Sequence, residues 1–184
     1  RGTTKPVPYN YHLANVFGAR LNFYFDSSIG RTAFGAAYRN EDIVSGNLGE
    51  PLANPKHISN TDRDYTHGLN RSDISFHLEH NVLLKDFTLS TGFVLLKNTW
   101  NKRHFGFYPG IDASYRLGEH FKLFASWNTS LRTPSFTEMY YNVGGHIPNP
   151  LLNPEELSAI EGGMKYTSRG IYGSVSVYHN RYKN

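Results

Sequence analysis

The residues best suited to contact a ligand lie in one stretch, RTPSFTEMYYNVGGHIPNPLLNPEE, at positions 132–156. It contains a tyrosine pair, Tyr140 and Tyr141, together with His146 and Arg132. Aromatic rings stack on planar groups, and an imidazole can ligate a metal. These four side chains are therefore predicted to contact a planar or metal-containing ligand from a long loop.

The same stretch contains residues that shape a loop. Proline restricts φ and removes a backbone donor, and Asn-Pro pairs begin turns. Pro134, Asn149, Pro150 and Pro154 are accordingly predicted to set the path of the chain, and the double glycine before His146 permits a sharp reversal.

No catalytic or metal-binding motif accompanies this loop. The sequence lacks GxSxG, a Walker-type loop, GxGxxG and HExxH, so an enzyme is not predicted. His77 and His80 are three positions apart, and on a strand this odd spacing sends the two imidazoles to opposite faces. We therefore predict no metal site.

The segments that must position the loop alternate between apolar and polar residues. Strict alternation over ten or more positions is long for a soluble strand, but transmembrane barrel strands run about 9–11 residues. The apolar positions of the clearest segments are Phe17, Ala19, Leu21, Phe23 and Phe25; Ile74, Phe76, Leu78, His80 and Val82; and Phe121, Leu123, Ala125 and Trp127.

The connections between segments are unequal in length. Tight turns alternate with long stretches at Glu41–Asn70, Asn98–Gly106 and Leu131–Pro154. Long loops on one side and tight turns on the other are typical of outer-membrane barrels. The pattern predicts an all-β, antiparallel up-and-down transmembrane β-barrel, with about eight strands in this chain. A soluble β-sandwich or lectin-like carbohydrate-binding domain is the alternative.

Composition narrows the class further. Aromatic residues, which are enriched in β-strands, make up 15% of the chain. Charged residues make up 18%. This composition favours β-structure. The net charge of +4 is scattered, so nucleic-acid binding is not predicted. Cysteine is absent, which excludes disulfides and thiolate metal sites within these residues.

Several motifs carry a family resemblance. WNTSLRTPSFTEMYY, NPLLNPEE, IEGGMKY and VYHNRYKN resemble the barrel of TonB-dependent outer-membrane receptors. FYPGIDASYRLGEHFKLFASW, LEHNVLLKDFTLSTGF and FGAAYRNEDIVSGNLGEP continue the likeness upstream. The sequence is most similar to the vitamin B12-receptor-like branch found in Bacteroidetes.

The resemblance implies a bacterial outer-membrane location and a barrel of about 22 strands, of which residues 1–184 would be one partial barrel domain. It also implies a plug domain outside these residues, through which the TonB complex acts. The other implied partners are outer-membrane lipids, a small-molecule metal chelate and a surface lipoprotein. No cofactor is required, and calcium binding is left open.

The implied activity is active uptake of a metal chelate, with cobalamin as the first expected ligand. Two boxes carry the most specific part of the likeness: Arg-x-Pro at residues 132–134 and Asn-Pro-x-Leu at residues 149–152. Haem receptors of the same superfamily carry a histidine between these boxes, which would correspond to His146. Haem receptors usually have alanine before the proline, where this sequence has Thr133, and Asn-Pro-Asn-Leu, where this sequence has Leu151 in the third position. Both departures argue against haem. The alternatives are a haem, siderophore or glycan receptor of the same superfamily, and a surface-binding barrel that transports nothing.

Overall fold

Strands account for nearly all regular structure in the computed structural model, which describes residues 10–99, 104–141 and 147–183. Within these ranges there are nine strands and one short helix. Their bounds are β1 His12–Ser27, β2 Gly30–Ser45, β3 Glu50–His57, β4 Asp64–Leu83, β5 Phe87–Asn98, β6 Gly106–Leu117, β7 Phe121–Arg132, α1 Phe136–Tyr140, β8 Glu155–Ser168 and β9 Ile171–Lys183. Across the described ranges, no helix is long and apolar enough to span a membrane.

The strands form one sheet in the order β1-β2-β4-β5-β6-β7-β8-β9, and β3 pairs with β4 beside this path. The pairs from β4 to β9 are antiparallel neighbours in sequence order. This is the predicted all-β, up-and-down arrangement, and the fold-class prediction is confirmed. The number of strands in a complete barrel stays a prediction.

The strand register sorts side chains by polarity, because directly paired residues of antiparallel strands share a face. Leu123 pairs with Tyr115 on one side and Met164 on the other, and Met164 pairs with Val175. Apolar side chains thus meet apolar ones across four strands. On the opposite face, Ser126 pairs with Asp112 and Glu161. The faces of β9, which the sequence alone did not assign, follow from this register: Val175 and Val177 share the apolar face, and Ser174 and Ser176 the polar one.

Compact packing divides the chain into two units. The larger unit comprises Gly18–Arg39, Asp73–Thr133 and Asn153–Asn184. Among its described residues Pro154 is the one buried apolar side chain, and Val177 is 77% exposed. A sandwich needs a second sheet to cover such a face, and the described strands form a single sheet. The soluble-sandwich alternative is therefore wrong.

The smaller unit comprises Arg1–Phe17, Asn40–Ser72 and Pro134–Leu152. In its described part it has a small core of its own, formed by Ile43, Val44, Leu48, Ile58 and Met139. The fully buried member is Met139, which belongs to α1.

The prediction of one long polar loop at Glu41–Asn70 is wrong. β2 continues to Ser45, β4 begins at Asp64, and β3 lies between them. The sequence of β3, EPLANPKH, has two prolines and no alternation. Proline is tolerated in an edge strand, because there its missing N–H costs no ladder bond. β3 meets this condition, since it pairs with β4 alone and its register shifts between Pro51 and Lys56.

Candidate ligand-binding site

The predicted loop is partly helical. Ser135 caps α1: its hydroxyl accepts a hydrogen bond from the Glu138 amide at 3.2 Å, and the Glu138 carboxylate accepts one from the Ser135 amide at 2.7 Å. This reciprocal capping box satisfies two backbone amides that have no hydrogen-bond acceptor within the helix. The expectation of an irregular loop throughout 132–156 is therefore wrong, and the S-x-x-E pattern at Ser135 was the signal for the helix.

Arg71 of β4 holds the start of this segment in place within the smaller unit. Its Nε donates to Glu41 Oε2 of β2 at 2.6 Å, and a second guanidinium nitrogen lies at 2.6 Å from the same oxygen. A third nitrogen donates to the Pro134 carbonyl at 2.7 Å. The guanidinium also lies over the Phe136 ring, 4.3 Å from its centroid.

The Arg71–Glu41 pair is largely buried, with 11% of the arginine and 14% of the glutamate side chain exposed. A planar guanidinium with several donors suits such a site, because it can satisfy a carboxylate, a carbonyl and an aromatic face together. The sequence analysis did not single out Arg71, which directly follows the stretch Glu41–Asn70.

A cavity of about 310 Å³ adjoins this arrangement inside the smaller unit. Carboxylate, guanidinium, hydroxyl, aromatic and aliphatic groups line it: Asn15, Glu41, Ile43, Leu48, Arg71, Ser135 and Phe136 among others. A small ligand group entering here would meet polar donors beside an apolar wall.

The predicted tyrosines lie at the end of α1. Tyr140 is its last residue and Tyr141 its C-cap, whose amide donates to the Thr137 carbonyl at 2.9 Å. Both rings are half-buried, and the Tyr140 hydroxyl oxygen is shielded from solvent. His146 lies outside the described residues. Ligand contact by these three residues stays a prediction.

Arg132, the fourth predicted contact, lies in the larger unit and ends β7. Its Nε donates to Glu155 Oε2 at 2.9 Å, and the two residues are direct partners between β7 and β8. With 55% and 36% of the two side chains exposed, this pair joins the strand ends at the surface.

The predicted loop-shaping residues occupy two environments. Pro134 and Pro154 are buried. Asn149 starts a turn, because its side-chain oxygen accepts from the Leu151 amide at 3.0 Å and its carbonyl from the Leu152 amide at 3.1 Å. Pro150 occupies the second position of this turn and is exposed.

Two apolar side chains that the sequence analysis did not single out lie at this turn: Leu151 is within it, and Ile147 is two residues before it. Ile147 is 86% exposed and Leu151 is 85% exposed. Single apolar side chains are common at protein surfaces, so the exposure of Ile147 and Leu151 does not by itself mark a contact site.

Across the described residues, no cluster of three or more His, Asp or Glu side chains is arranged to hold a metal ion. His77 lies on the polar face as a partner of Val94, and His80 lies on the apolar face as a partner of Thr91. The opposite orientation predicted for the two imidazoles is confirmed.

The sequence matches one protein-family model, described as "TonB dependent receptor-like, beta-barrel", over residues 2–184.

Solved structures share the fold. The siderophore receptor PirA from Pseudomonas aeruginosa aligns with a TM-score of 0.71 at 17% identity, over 95% of this chain and 32% of that one. A mutant of the ferric enterobactin receptor PfeA from the same organism gives 0.74 at 17% identity, over 94% and 27%. The FrpB iron transporter from Neisseria meningitidis gives 0.67 at 16% identity, over 95% and 30%. The chain thus spans 27–32% of the length of these three structures.

Proposed function

The chain belongs to the TonB-dependent receptor β-barrel family, and we propose on that basis that it forms part of the wall of a receptor that imports a metal chelate. Barrels of this family lie in the bacterial outer membrane, and so does this chain. Import, ligand and partners are our proposals, because the matched relatives are about three times longer.

One observation carries the proposal: the sheet has an apolar face that nothing in the described chain covers. Burying a large aliphatic side chain stabilises a protein by about 1.5–3 kcal/mol relative to leaving it in water. Acyl chains would supply that burial for residues such as Leu123, Val175 and Val177. The opposite face, with Asp112, Ser126 and Glu161, suits a water-filled lumen because charged groups there stay solvated.

The proposed ligand class is a metal chelate. Cobalamin is the ligand implied by the sequence resemblance, while PirA is named as a siderophore receptor and PfeA as a ferric enterobactin receptor. Cobalamin and ferric enterobactin are both bulky molecules with planar or aromatic parts, which the tyrosine rings at the end of α1 can contact. Binding needs no covalent step, and energy would reach the barrel from the TonB complex through a plug domain.

The proposal is tested with the full-length gene in a strain that lacks it. We expect the protein to fractionate with outer membranes, and we expect uptake of one chelate to depend on both the protein and an intact TonB complex. Cobalamin, haem and ferric catecholate siderophores should be titrated separately against the purified protein, with intrinsic fluorescence as the readout. Recovery of the protein in the aqueous phase without detergent would refute the receptor, and binding without TonB-dependent uptake would indicate a surface-binding barrel.

A further inference from the structure

The apolar face of the larger unit becomes basic at one end of β9, opposite the tight turn from β8. Val177 lies on the apolar face, and Arg181 and Lys183 follow it in the same phase. Arg181 pairs directly with Ser158 of β8, and Lys183 pairs directly with Glu156. Both basic side chains are exposed. We call Arg181 and Lys183 the rim cations.

The rim cations lie at the level of a membrane–water interface. The rings of Phe121 and Tyr166, with centroids 5.0 Å apart, form an aromatic pair at the tight-turn end, as is typical of the other interface. Tyr166 pairs with Gly173. Arg181 is eight positions beyond Gly173, about 26 Å along the strand and about 20 Å along the membrane normal at the tilt of barrel strands. The apolar band of such barrels is about 25 Å tall, so the basic groups can reach the lipid headgroups.

A groove of about 390 Å³ contains the rim cations. Its lining combines apolar and polar groups of the same face: Phe107, Pro109, Glu156, Ser158, Arg181 and Lys183 among others. Trp127 Nε1 donates to the Ser158 hydroxyl oxygen at 3.0 Å. Because that oxygen accepts from the indole, the hydroxyl hydrogen of Ser158 can be donated to a ligand. The groove thus offers two cations and a hydroxyl donor beside an apolar wall.

The charges around the groove leave one positive charge in excess. Within the described ranges, neither rim cation forms an ion pair. Glu156 is the acidic side chain that the groove contains. Its neighbour Glu155 lies on the opposite face, where it pairs with Arg132. Two cations and one carboxylate give a net charge of +1, which a ligand with one negative charge would neutralise.

We propose that the rim cations and Ser158 bind the phosphodiester group of a membrane lipid. A phosphodiester has one negative charge and several acceptor oxygens, which match the charge of the groove and its donors. The acyl chains of the same lipid would lie along the apolar face towards Val177, and Phe107 and Pro109 would contact its glycerol region. A free anion would use the donors alone. The inference rests on the proposed function, in which this face contacts lipid.

The experiment is a titration of the purified full-length receptor in detergent, with native mass spectrometry to count bound molecules and give the affinity of the first. Three ligands separate the sources of binding. Dioleoylphosphatidylglycerol has the phosphodiester and the acyl chains, dioleoylglycerol has the chains alone, and inorganic phosphate has the anion alone. We expect phosphatidylglycerol to bind at least about tenfold more tightly than dioleoylglycerol. Millimolar inorganic phosphate should not displace it.

Four variants locate the site. Arg181→Gln and Lys183→Gln should each weaken phosphatidylglycerol binding about fivefold, and the double variant about thirtyfold, which is the contribution of basic residues at an anionic lipid surface. Glu156→Gln should strengthen binding by up to about fivefold, because it removes a like charge from the groove. Lys97→Gln is the matched control. Lys97 lies on the same face in β5, but its Nζ lies over the Phe105 ring and it does not line the groove, so affinity should not change.

Wild-type affinity in the double variant would overturn the proposal, and so would equal binding of dioleoylglycerol. Displacement by inorganic phosphate would also overturn it, because the groove would then be a site for a free anion. Weaker binding in the Glu156→Gln variant would contradict the charge balance. Chelate uptake is measured in cells with the same variants. Lipid binding that does not depend on the rim cations, with uptake intact, refutes the lipid site and leaves the receptor function standing.

Discussion

Arg71 and Glu41 form a mostly buried ion pair at 2.6 Å, and the same guanidinium donates to the Pro134 carbonyl and covers the Phe136 ring. One side chain thereby ties two strands to the segment that contains the candidate ligand contacts. Removing one partner of a buried ion pair costs about 3–5 kcal/mol, because the remaining charge is left without compensation.

Arg71→Ala is therefore expected to loosen α1. A local loss of about 3 kcal/mol corresponds to roughly a hundredfold faster opening. Amide hydrogen exchange at Met139 and Tyr141, both bonded within this turn, measures it directly. Arg132→Ala is the control: its pair with Glu155 is exposed, and such pairs contribute about 0–1 kcal/mol. Equal exchange in the Arg71→Ala variant and the wild type would contradict the assigned position of Arg71.

Removing the helix cap should increase hydrogen exchange in α1 by a smaller factor. Ser135→Ala removes the hydroxyl that accepts from the Glu138 amide, and losing such a cap costs about 1 kcal/mol. Exchange in α1 should rise about fivefold. Ser135→Thr keeps the acceptor and should stay close to wild type; if it behaves like the alanine variant, the capping box is not what holds the helix.

The ligand contacts can be tested by truncation. Replacing Tyr140, Tyr141 and His146 together with alanine should weaken chelate binding at least tenfold, about 1.4 kcal/mol, because the stacking surface is lost. Tyr172→Ala is the matched control, since this exposed tyrosine lies beside the tight turn between β8 and β9. If titration shows unchanged affinity in the triple variant, these three residues do not contact the chelate and the segment only shapes the loop.

β2 lies next to β4 in the sheet, and this pairing can be tested by a substitution at the start of β2. Gly30 begins β2 with φ +139°, and a Cβ there would collide with the Asn81 carbonyl oxygen of β4. Gly30→Ala should cost about 1–3 kcal/mol through strain and displacement. A lower midpoint of thermal unfolding for the purified receptor checks this. Gly173→Ala places its methyl in open space and should leave the midpoint unchanged; equal midpoints in the two variants would speak against the pairing.

Much of the fold could be predicted from the sequence, because period-two alternation is a local property. The segments around Leu78, Leu89 and Leu123 alternate clearly, and the structure makes each of them a strand. β9 could not be divided into faces in this way, because only Ser174–Val177 alternate clearly. Tyr172 and Tyr178 fall in phase with the serines, and His179 and Arg181 fall in phase with the valines. The register of β9 against β8 resolved the ambiguity through Met164 and Val175.

The features that could not be predicted from the sequence depend on contacts between residues far apart along the chain. β3 contains Pro51 and Pro55, and it is a strand only because β4 extends far enough to pair with it. The environment of Arg71 brings together residues 30 and 63 positions away, Glu41 and Pro134, which no spacing rule connects. The capping box at Ser135 was the exception, since its pattern is local and could have been recognised.

The central claim is that one face of the sheet contacts lipid and the other contacts water, and single-cysteine labelling tests it most directly. These 184 residues contain no cysteine, so each introduced thiol is unique within them. The positions to compare alternate along β9: Ser174, Val175, Ser176 and Val177.

Each position should be replaced by cysteine in the full-length receptor, labelled with an environment-sensitive fluorophore after unfolding, and refolded into vesicles containing a nitroxide-bearing lipid. The account predicts strong quenching at positions 175 and 177 and weak quenching at positions 174 and 176. Uniform quenching, or stronger quenching at the two serine positions, would contradict it.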